Sequence, residues 1–241
     1  MEEAIRRIRE WKEGGVLNLS KLGLTELPDL PQGLKILNCF KNYLTRLPEL
    51  PQGLKILNCF NNYLTSLPDL PQELEVLYCS NNQLTCLPEL PQSLEFLHCY
   101  MNQLTSLPEL PQGLKKLECF ANQLANLPDV HQGLEILNCV GNHLTTLPDL
   151  PQGLKYLQCD NNQLARLPDL PQGLEILHCS ENQLTSLPEF PSSLYRKFYT
   201  NNPLPPPYKN ESESEWITRM NEQYRSQRRC HIIAEELLAT I

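Results

Sequence analysis

Leucine and other apolar residues recur along most of this chain with a period of 20 residues. From Leu34 to Leu187 the sequence follows the pattern LxxLxCxxNxLxxLPxLPxx, and the block LKILNCF stands unchanged at 34–40 and 54–60. Eight turns match closely and begin at Leu34, Leu54, Leu74, Leu94, Leu114, Leu134, Leu154 and Leu174. A short fixed period is typical of a solenoid, in which each repeat buries its apolar face against the next.

Each repeat contains a short segment in which apolar and polar residues alternate. Leu37 and Cys39 alternate with Ile36 and Asn38, which is the two-residue period of a strand with one buried face. Strands stacked in register are expected to form a parallel sheet on the inner side of a horseshoe. The LPxLP segment that follows carries two prolines three residues apart, which fix an extended polyproline-type path and exclude a helix there.

One asparagine recurs just after each predicted strand. The backbone turns inward at this point, and its buried polar groups need hydrogen-bond partners. An asparagine amide both donates and accepts, so it is expected to pair groups of its own coil and of the neighbouring coil. This predicted structural ladder consists of Asn42, Asn62, Asn82, Asn102, Asn122, Asn142, Asn162, Asn182 and Asn202.

The ten cysteines are explained by the repeat rather than by disulfides or zinc. Eight of them recur in the same local context every 20 residues, and no CxxC pair occurs. A cysteine at a core position behaves as a small apolar residue, so we expect reduced thiols and a reducing, cytoplasmic compartment, the host cytoplasm for a delivered effector. The eight are Cys39, Cys59, Cys79, Cys99, Cys119, Cys139, Cys159 and Cys179.

The two ends depart from the repeat and predict helical caps. Ala4, Ile5, Ile8 and Trp11 follow helical spacing ahead of two glycines, which predicts a cap helix over 2–13. The predicted domains are an N-terminal cap at 1–15, about ten coils at 16–204, and a tail at 205–241.

The tail begins with a proline-rich exit and continues with helical patterns. Ser212 and Glu215 form a capping-box pattern ahead of Trp216, and a second apolar group begins at Ile232. The last coil is degenerate, with Lys197 at a core position. One or two helices are expected, which either cap this coil or dock a partner.

The repeat resembles the 20-residue leucine-rich repeats of bacterial effectors, the invasion-plasmid-antigen-H and YopM group, and similar repeats occur in giant-virus proteins. The resemblance covers about residues 16–204. It implies a leucine-rich-repeat solenoid with short parallel β-strands on the concave face, an extended polyproline-type convex face and helical caps at both ends. It also implies a protein-binding scaffold. The ligase branch of the group has a long catalytic domain after the repeats, where this chain has a short tail.

Charge and composition argue against several function classes. The net charge is −8 and the sequence pI is about 5.2, so neither nucleic acid nor an anionic membrane is an expected partner. No run of 18 apolar residues occurs, and the charged start of the chain differs from a secretory signal peptide. His98 and His178 stand four repeats apart, too far to share a metal ion, and are interpreted as surface residues.

No catalytic residue, metal or cofactor is predicted. The pair Cys230–His231 is the one candidate for nucleophilic catalysis, but no orienting carboxylate or oxyanion-hole motif accompanies it.

The strand positions that point away from the core differ between the two halves of the chain. Large apolar and aromatic residues crowd the first half, and polar residues fill the second. An apolar patch with a polar rim marks a partner site in a soluble protein, although some of the phenylalanines could instead pack under the sheet edge. The predicted partner-binding residues are Phe40, Phe60, Tyr78, Phe96, His98, Tyr100 and Phe120, with Glu118, Lys35 and Lys55 in the rim.

The sequence therefore predicts a non-enzymatic scaffold that recognises another protein through its concave face, as an effector-like or host-interaction factor. It is expected to be a monomer or to self-associate weakly. Two alternatives stay open, namely the substrate-recognition arm of a multi-chain enzyme such as a ubiquitin ligase, and a self-associating structural module.

Overall fold

Ten short strands follow one another along the chain and pair in the same order. The computed structural model describes residues 1–207, 211–220 and 222. Its strands form one parallel sheet with the order β1 to β10, so every strand lies beside its neighbours in sequence. They are β1 Val16–Asn18, β2 Ile36–Asn38, β3 Ile56–Asn58, β4 Val76–Tyr78, β5 Phe96–His98, β6 Lys116–Glu118, β7 Ile136–Asn138, β8 Tyr156–Gln158, β9 Ile176–His178 and β10 Arg196–Phe198.

Paired residues on neighbouring strands are 20 positions apart in the sequence, which is the period of the repeat. Leu37 pairs with Leu57, and Leu57 pairs with Leu77, so a shift of one strand is a shift of 20 residues. In β2 to β9 the middle residue is buried and its two neighbours are half-buried. The alternation of side chains along a strand therefore gives the solenoid an apolar interior and a separate concave surface. The predicted leucine-rich-repeat solenoid is confirmed.

The interior is a column of leucines with one cysteine per coil. In the second coil Leu34, Leu37, Cys39 and Leu44 are fully buried, and the same positions are buried in the later coils up to Leu184. The nine described cysteines carry free thiols, and all except Cys86 are buried. Burial raises the pKa of these eight buried thiols, which we call the cysteine ladder, and raises it to about 12 for Cys59 and Cys119.

The asparagines join consecutive coils. Asn122 Nδ2 donates to the carbonyl oxygens of Cys99 and Cys119 at 3.1 and 3.0 Å, and Asn122 Oδ1 accepts from the Leu104 N–H at 3.0 Å. Asn42 and Asn182 make the same three contacts at their own positions. Each amide thus bonds its own coil and the preceding one.

In all ten coils one residue turns the chain with a left-handed backbone, and it stands directly before the ladder asparagine, or before Leu22 in the first coil. Its φ lies between 52° and 58° for the nine non-glycine residues. This conformation is unfavourable for most side chains and is best tolerated by glycine and asparagine. Asparagine or glycine occupies five of the positions, although lysine, methionine, alanine and glutamate occupy the others. The full set is Lys21, Lys41, Asn61, Asn81, Met101, Ala121, Gly141, Asn161, Glu181 and Asn201.

The return arms contain no helix, as the paired prolines predict. No residue between 11 and 207 is helical. After each arm a tight turn leads into the next coil, as where the Leu54 N–H donates to the Pro51 carbonyl at 3.0 Å. An extended arm without helical residues lets each coil close within 20 residues.

The N-terminal helix α1 covers the first coil but is shorter than predicted. It spans Glu2–Glu10 and buries Ala4 fully, with Ile8 and Trp11 packed against the core. The predicted helix over 2–13 is wrong at its end, because Trp11 is extended and its indole N–H donates to the Gly15 carbonyl at 2.9 Å. The indole thereby ties the linker back toward the start of β1.

The C-terminal helix α2, residues 213–220, packs on the last coil. The predicted capping box is confirmed, since Ser212 N–H donates to Glu215 at 2.9 Å and Glu215 N–H donates to Ser212 Oγ at 3.3 Å. Trp216 is buried and its indole N–H donates to the Pro205 carbonyl at 2.7 Å.

The polar residues of the degenerate coil face this helix. Lys197 pairs with Glu213, and the Tyr199 hydroxyl donates to the same carboxylate at 2.7 Å. In this described part of the tail, the helix caps the solenoid. The second apolar group, from Ile232, and the pair Cys230–His231 lie outside the described residues.

Removing one ladder amide should destabilise the whole stack. We expect Asn122→Ala to lower the free energy of unfolding by about 1–3 kcal/mol, because three backbone groups lose their partner in a buried place. The control Glu109→Ala, on the exposed convex side, should change it by less than about 0.5 kcal/mol. Urea unfolding of both variants checks this, and equal midpoints would contradict the structural role of the ladder.

The cysteine ladder should be protected from alkylation and should make the fold sensitive to alkali. Iodoacetamide should modify Cys86 in the native protein and the ladder thiols only on unfolding. A thiol whose pKa rises from 9.0 to about 12 on folding contributes stability below pH 9 that is lost as the pH rises toward 12. At pH 10 the loss is on the order of 1 kcal/mol for each such thiol.

Mass spectrometry and thermal melting from pH 8 to 11 give the two measurements. Cys86→Ala is the control and should keep the same pH dependence. A native disulfide between ladder cysteines, or a melting temperature that does not change up to pH 11, would contradict the prediction.

Candidate functional site

The concave surface is built from three side-chain columns that the strands present in parallel. The first and third residues of each strand supply two columns, and the residue after the buried cysteine supplies the third. All seven residues predicted to bind a partner lie in these columns, and all seven are half-buried. The structure therefore places them on one face without testing their role.

Aromatic rings of the third column stack across coils. Tyr100 and Phe120 lie 4.2 Å apart between ring centroids and are nearly parallel, and Phe60 and Tyr100 lie 6.4 Å apart. In the neighbouring column, Tyr78 packs against His98 at 4.7 Å. Because adjacent strands carry these rings, the rings form one continuous surface rather than separate apolar residues.

The rings enclose an open pocket of about 370 Å³, which we call the aromatic pocket. Phe120 extends the aromatic surface beyond it through Tyr100, whereas Phe96 belongs to the first column and does not line it. The lining residues are Phe40, Lys41, Asn58, Phe60, Tyr78, Ser80, His98 and Tyr100.

Ser80 occupies the gap between Phe60 and Tyr100 in the third column. Its side chain is small, and the rings on either side approach each other across it. Ser80 is 1% exposed and its hydroxyl has no hydrogen-bond partner among the described residues. Leaving a buried hydroxyl unpaired costs about 1–3 kcal/mol, so the pocket contains an unused polar group.

The lysines predicted for the polar rim take part in ion pairs. Lys35 and Lys55 are bound in ion pairs with Glu73 and Glu75, at 3.4 and 2.6 Å. At the turn beside the pocket, Lys41 lines the mouth. On the preceding coil, the Lys21 ammonium lies 5.6 Å from the centre of the Phe40 ring.

His98 is half-buried on the concave face and is part of an ion-paired group. Its Nδ1 lies 2.7 Å from Glu118 Oε2, and Lys116 Nζ lies 2.8 Å from Glu118 Oε1. The hydrogen bond with His98, together with Lys116, lowers the pKa of Glu118 to about 2 against the opposing effect of burial. This group of His98, Glu118 and Lys116 borders the aromatic surface on one side.

The second half of the concave face is polar, as predicted, and it contains a similar histidine in a different environment. His178 Nδ1 lies 3.8 Å from Asp160 Oδ2, and its ring packs on Phe198 at 4.6 Å. The Asp160 carboxylate accepts from the Ser180 N–H at 2.9 Å, yet burial raises the pKa of Asp160. His178 is thus half-buried on the concave face and packed against Phe198.

Sequence reasoning missed three features near the pocket. The exposed residues Tyr43 and Tyr63 stack at 6.0 Å beside the ladder, and they could have been found as the residues that follow Asn42 and Asn62. Lys41 at the pocket could have been singled out because half of the ten positions in its column carry asparagine or glycine. No sequence signal indicates the unpaired hydroxyl of Ser80.

Among the described residues, no group of three or more His, Cys, Asp or Glu side chains is arranged to hold a metal ion. Neither described helix has the length and the apolar character that crossing a lipid bilayer requires.

Comparison with known proteins identifies the class of the fold. A family profile described as Leucine Rich repeats (2 copies) matches residues 52–92 and 72–112. No protein of curated function matches the chain. Together with the parallel strands and their 20-residue register, the profile match identifies a leucine-rich-repeat protein.

Solved structures of bacterial effectors are similar to this chain. The leucine-rich-repeat domain of a Shigella effector is 33% identical, with a TM-score of 0.57, and the match covers 77% of this chain and 78% of that one. YopM from Yersinia pestis is 33% identical over 83% and 82% of the two chains, with a TM-score of 0.49. YopM from Yersinia enterocolitica WA-314 is 34% identical, with a TM-score of 0.46, over 84% of this chain and 60% of its own.

The chain therefore belongs to the bacterial-type leucine-rich-repeat proteins, the family of the repeat domain of the Shigella effector. Repeat domains of this family are protein-binding scaffolds, and they are typically not enzymes. The chain spans less than two thirds of the Yersinia enterocolitica YopM chain.

The two concave histidine–carboxylate pairs should affect stability in opposite directions. Glu118→Gln should lower stability near neutral pH by about 1–2 kcal/mol, since partial exposure screens the ion pair. The contribution of wild-type Glu118 is present above pH 4.5 and is lost as the pH falls toward 2.

Asp160→Asn should instead raise the melting temperature at pH 7, because the raised pKa of Asp160 makes its ionised form a burden on the fold above its usual pKa of 3.8. Calorimetry of both variants between pH 3 and 7 checks the signs. A change of stability with the same sign in both variants would contradict the prediction.

Proposed function

We propose that this protein recognises a partner protein through its concave face, with the aromatic pocket and Phe120 at the centre of the interface, and that it acts by binding rather than by catalysis. The observation that carries the proposal is the continuous aromatic surface on adjacent coils, from Phe40 to Phe120. Aromatic side chains dominate interface energies when surrounding groups exclude water.

The rigidity of the scaffold supports this proposal. Each aromatic side chain is attached to a strand or to the turn directly after it, and that turn is held by the asparagine ladder. A surface that is already ordered loses little conformational entropy on binding, so more of its contact energy becomes affinity.

The polar half of the face is a less suitable centre. Its pocket is lined by Asp160, His178, Ser180 and Glu181 with few apolar groups, and these side chains are already paired in part with each other. Polar surfaces of this kind belong to the rim of an interface. By analogy with the bacterial relatives, we propose that the partner is a host protein and that the chain acts as an effector-like factor in a reducing compartment.

Two concave variants test the position of the interface. The immobilised full chain should retain a partner from host lysate, and Tyr78→Ala combined with Tyr100→Ala should abolish this retention while changing the melting temperature little. The matched control, Asp160→Ala combined with His178→Ala, should retain the partner. Retention by the tyrosine variant, with loss on deleting 212–241, would place the site on the C-terminal tail instead.

A further inference from the structure

We propose that the aromatic pocket receives a tyrosine side chain from an extended segment of the partner, and that Lys21 and Lys41 pair with carboxylates that flank this tyrosine. The inference rests on the proposed function and specifies the chemistry of the partner. Its three supports are the charges at the pocket mouth, the backbone conformation of the lysines and the buried hydroxyl of Ser80.

The lysines at the pocket mouth differ from the other lysines of the concave face. Lys55 and Lys115, which precede their strands, are paired with glutamates of adjacent coils at 2.6 and 2.7 Å. Lys21 and Lys41 form no ion pair with any described residue, in a chain of net charge −8. Lys41 lines the pocket and Lys21 lies over the ring of Phe40, so two cations without a carboxylate partner stand beside the apolar lining. They fit a segment that carries an apolar anchor and adjacent carboxylates.

The backbone gives no reason for lysine at these two positions. Lys21 and Lys41 have φ values of 58° and 54°, in the left-handed region that asparagine and glycine tolerate better. Met101, Ala121 and Glu181 share this disadvantage, so conformation alone does not single out the lysines. The two lysines are distinguished by their place beside the aromatic lining, since Lys41 lines the pocket and Lys21 lies over Phe40. Unfavourable backbone conformations cluster where a side chain has a function.

Ser80 defines what kind of anchor fits. Ser80 lines the pocket, and its hydroxyl, which is buried in the empty pocket, has no partner among the described residues. The pocket volume of about 370 Å³ is near the lower end of the usual range for binding pockets, roughly 300–1,000 Å³, so it suits one bulky side chain. Tyrosine supplies a ring for Phe60 and Tyr100 to contact and a hydroxyl that can pair with Ser80, whereas phenylalanine leaves that group unsatisfied.

A defined peptide tests the proposal with the full chain. The probe is a fluorescein-labelled, C-terminally amidated peptide of sequence Gly-Asp-Glu-Tyr-Glu-Asp-Gly, and binding is followed by fluorescence anisotropy. A second peptide has lysine in place of the four acidic residues, and a third has phenylalanine in place of tyrosine. The acidic tyrosine peptide should bind most tightly, and its affinity should fall as salt is added.

The lysines are tested by variants that the fold should tolerate. Lys21→Asn combined with Lys41→Asn should weaken binding of the acidic tyrosine peptide roughly tenfold, since an exposed ion pair contributes up to about fivefold. The melting temperature should stay equal or rise, because asparagine accepts the left-handed backbone. The control Glu181→Asn changes the same column at the other end, and it should leave binding unchanged.

The hydroxyl is tested by Ser80→Ala, which should remove the preference for the tyrosine peptide over the phenylalanine peptide. Equal binding of the acidic and basic peptides, unchanged binding by the lysine variant, or no binding of any peptide would overturn the proposed partner chemistry. Retention of the lysate partner by the Tyr78→Ala and Tyr100→Ala variant would overturn the proposed function itself. The two failures are therefore distinguishable.

Discussion

The pairing of main-chain groups by the asparagine ladder is the constraint on which the rest of the structure depends. A three-residue strand followed by an inward turn leaves buried N–H and carbonyl groups that its own coil cannot satisfy. Asn122 pairs groups on two coils at once, through Cys99, Cys119 and Leu104. Since every link joins neighbouring coils, an insertion within one coil would separate an amide from its partners. The period of 20 residues follows from this requirement as much as from the packing of leucines.

The same constraint explains why both ends depart from the repeat. An interior coil obtains partners from its neighbours, but a terminal coil lacks one neighbour and needs another source of contacts. At the first strand the Arg7 guanidinium donates to the Asn18 carbonyl at 2.9 Å. At the last coil, the apolar core positions change to Lys197 and Tyr199, which reach Glu213 on the cap helix. The sequence differences at the ends are thus replacements for a missing coil.

The fold could be predicted from the sequence because one pattern is repeated and each position has one physical task. Details that depend on which side chain a neighbouring residue carries could not be predicted from the sequence. His98 and His178 occupy the same repeat position, yet Glu118 bonds the first at 2.7 Å and Asp160 lies 3.8 Å from the second. The end of α1 was also missed, since it depends on where the Trp11 indole finds the Gly15 carbonyl. The aromatic column was predictable, whereas its pocket arises from rings that converge over Ser80.

Comparison of the coils with one another separates positions that serve the fold from positions that are free to vary. The ladder asparagine and the buried cysteine are the same from the second to the ninth coil, whereas the concave residues vary among most of these coils. The concave columns can therefore change without affecting the core, and differences there are available for recognition. The left-handed turn combines both kinds of position. Its backbone favours asparagine or glycine, while its side chain borders the concave surface. A lysine at that turn, as at Lys41, therefore gives up some backbone stability, and the proposed contact with a carboxylate of the partner accounts for it.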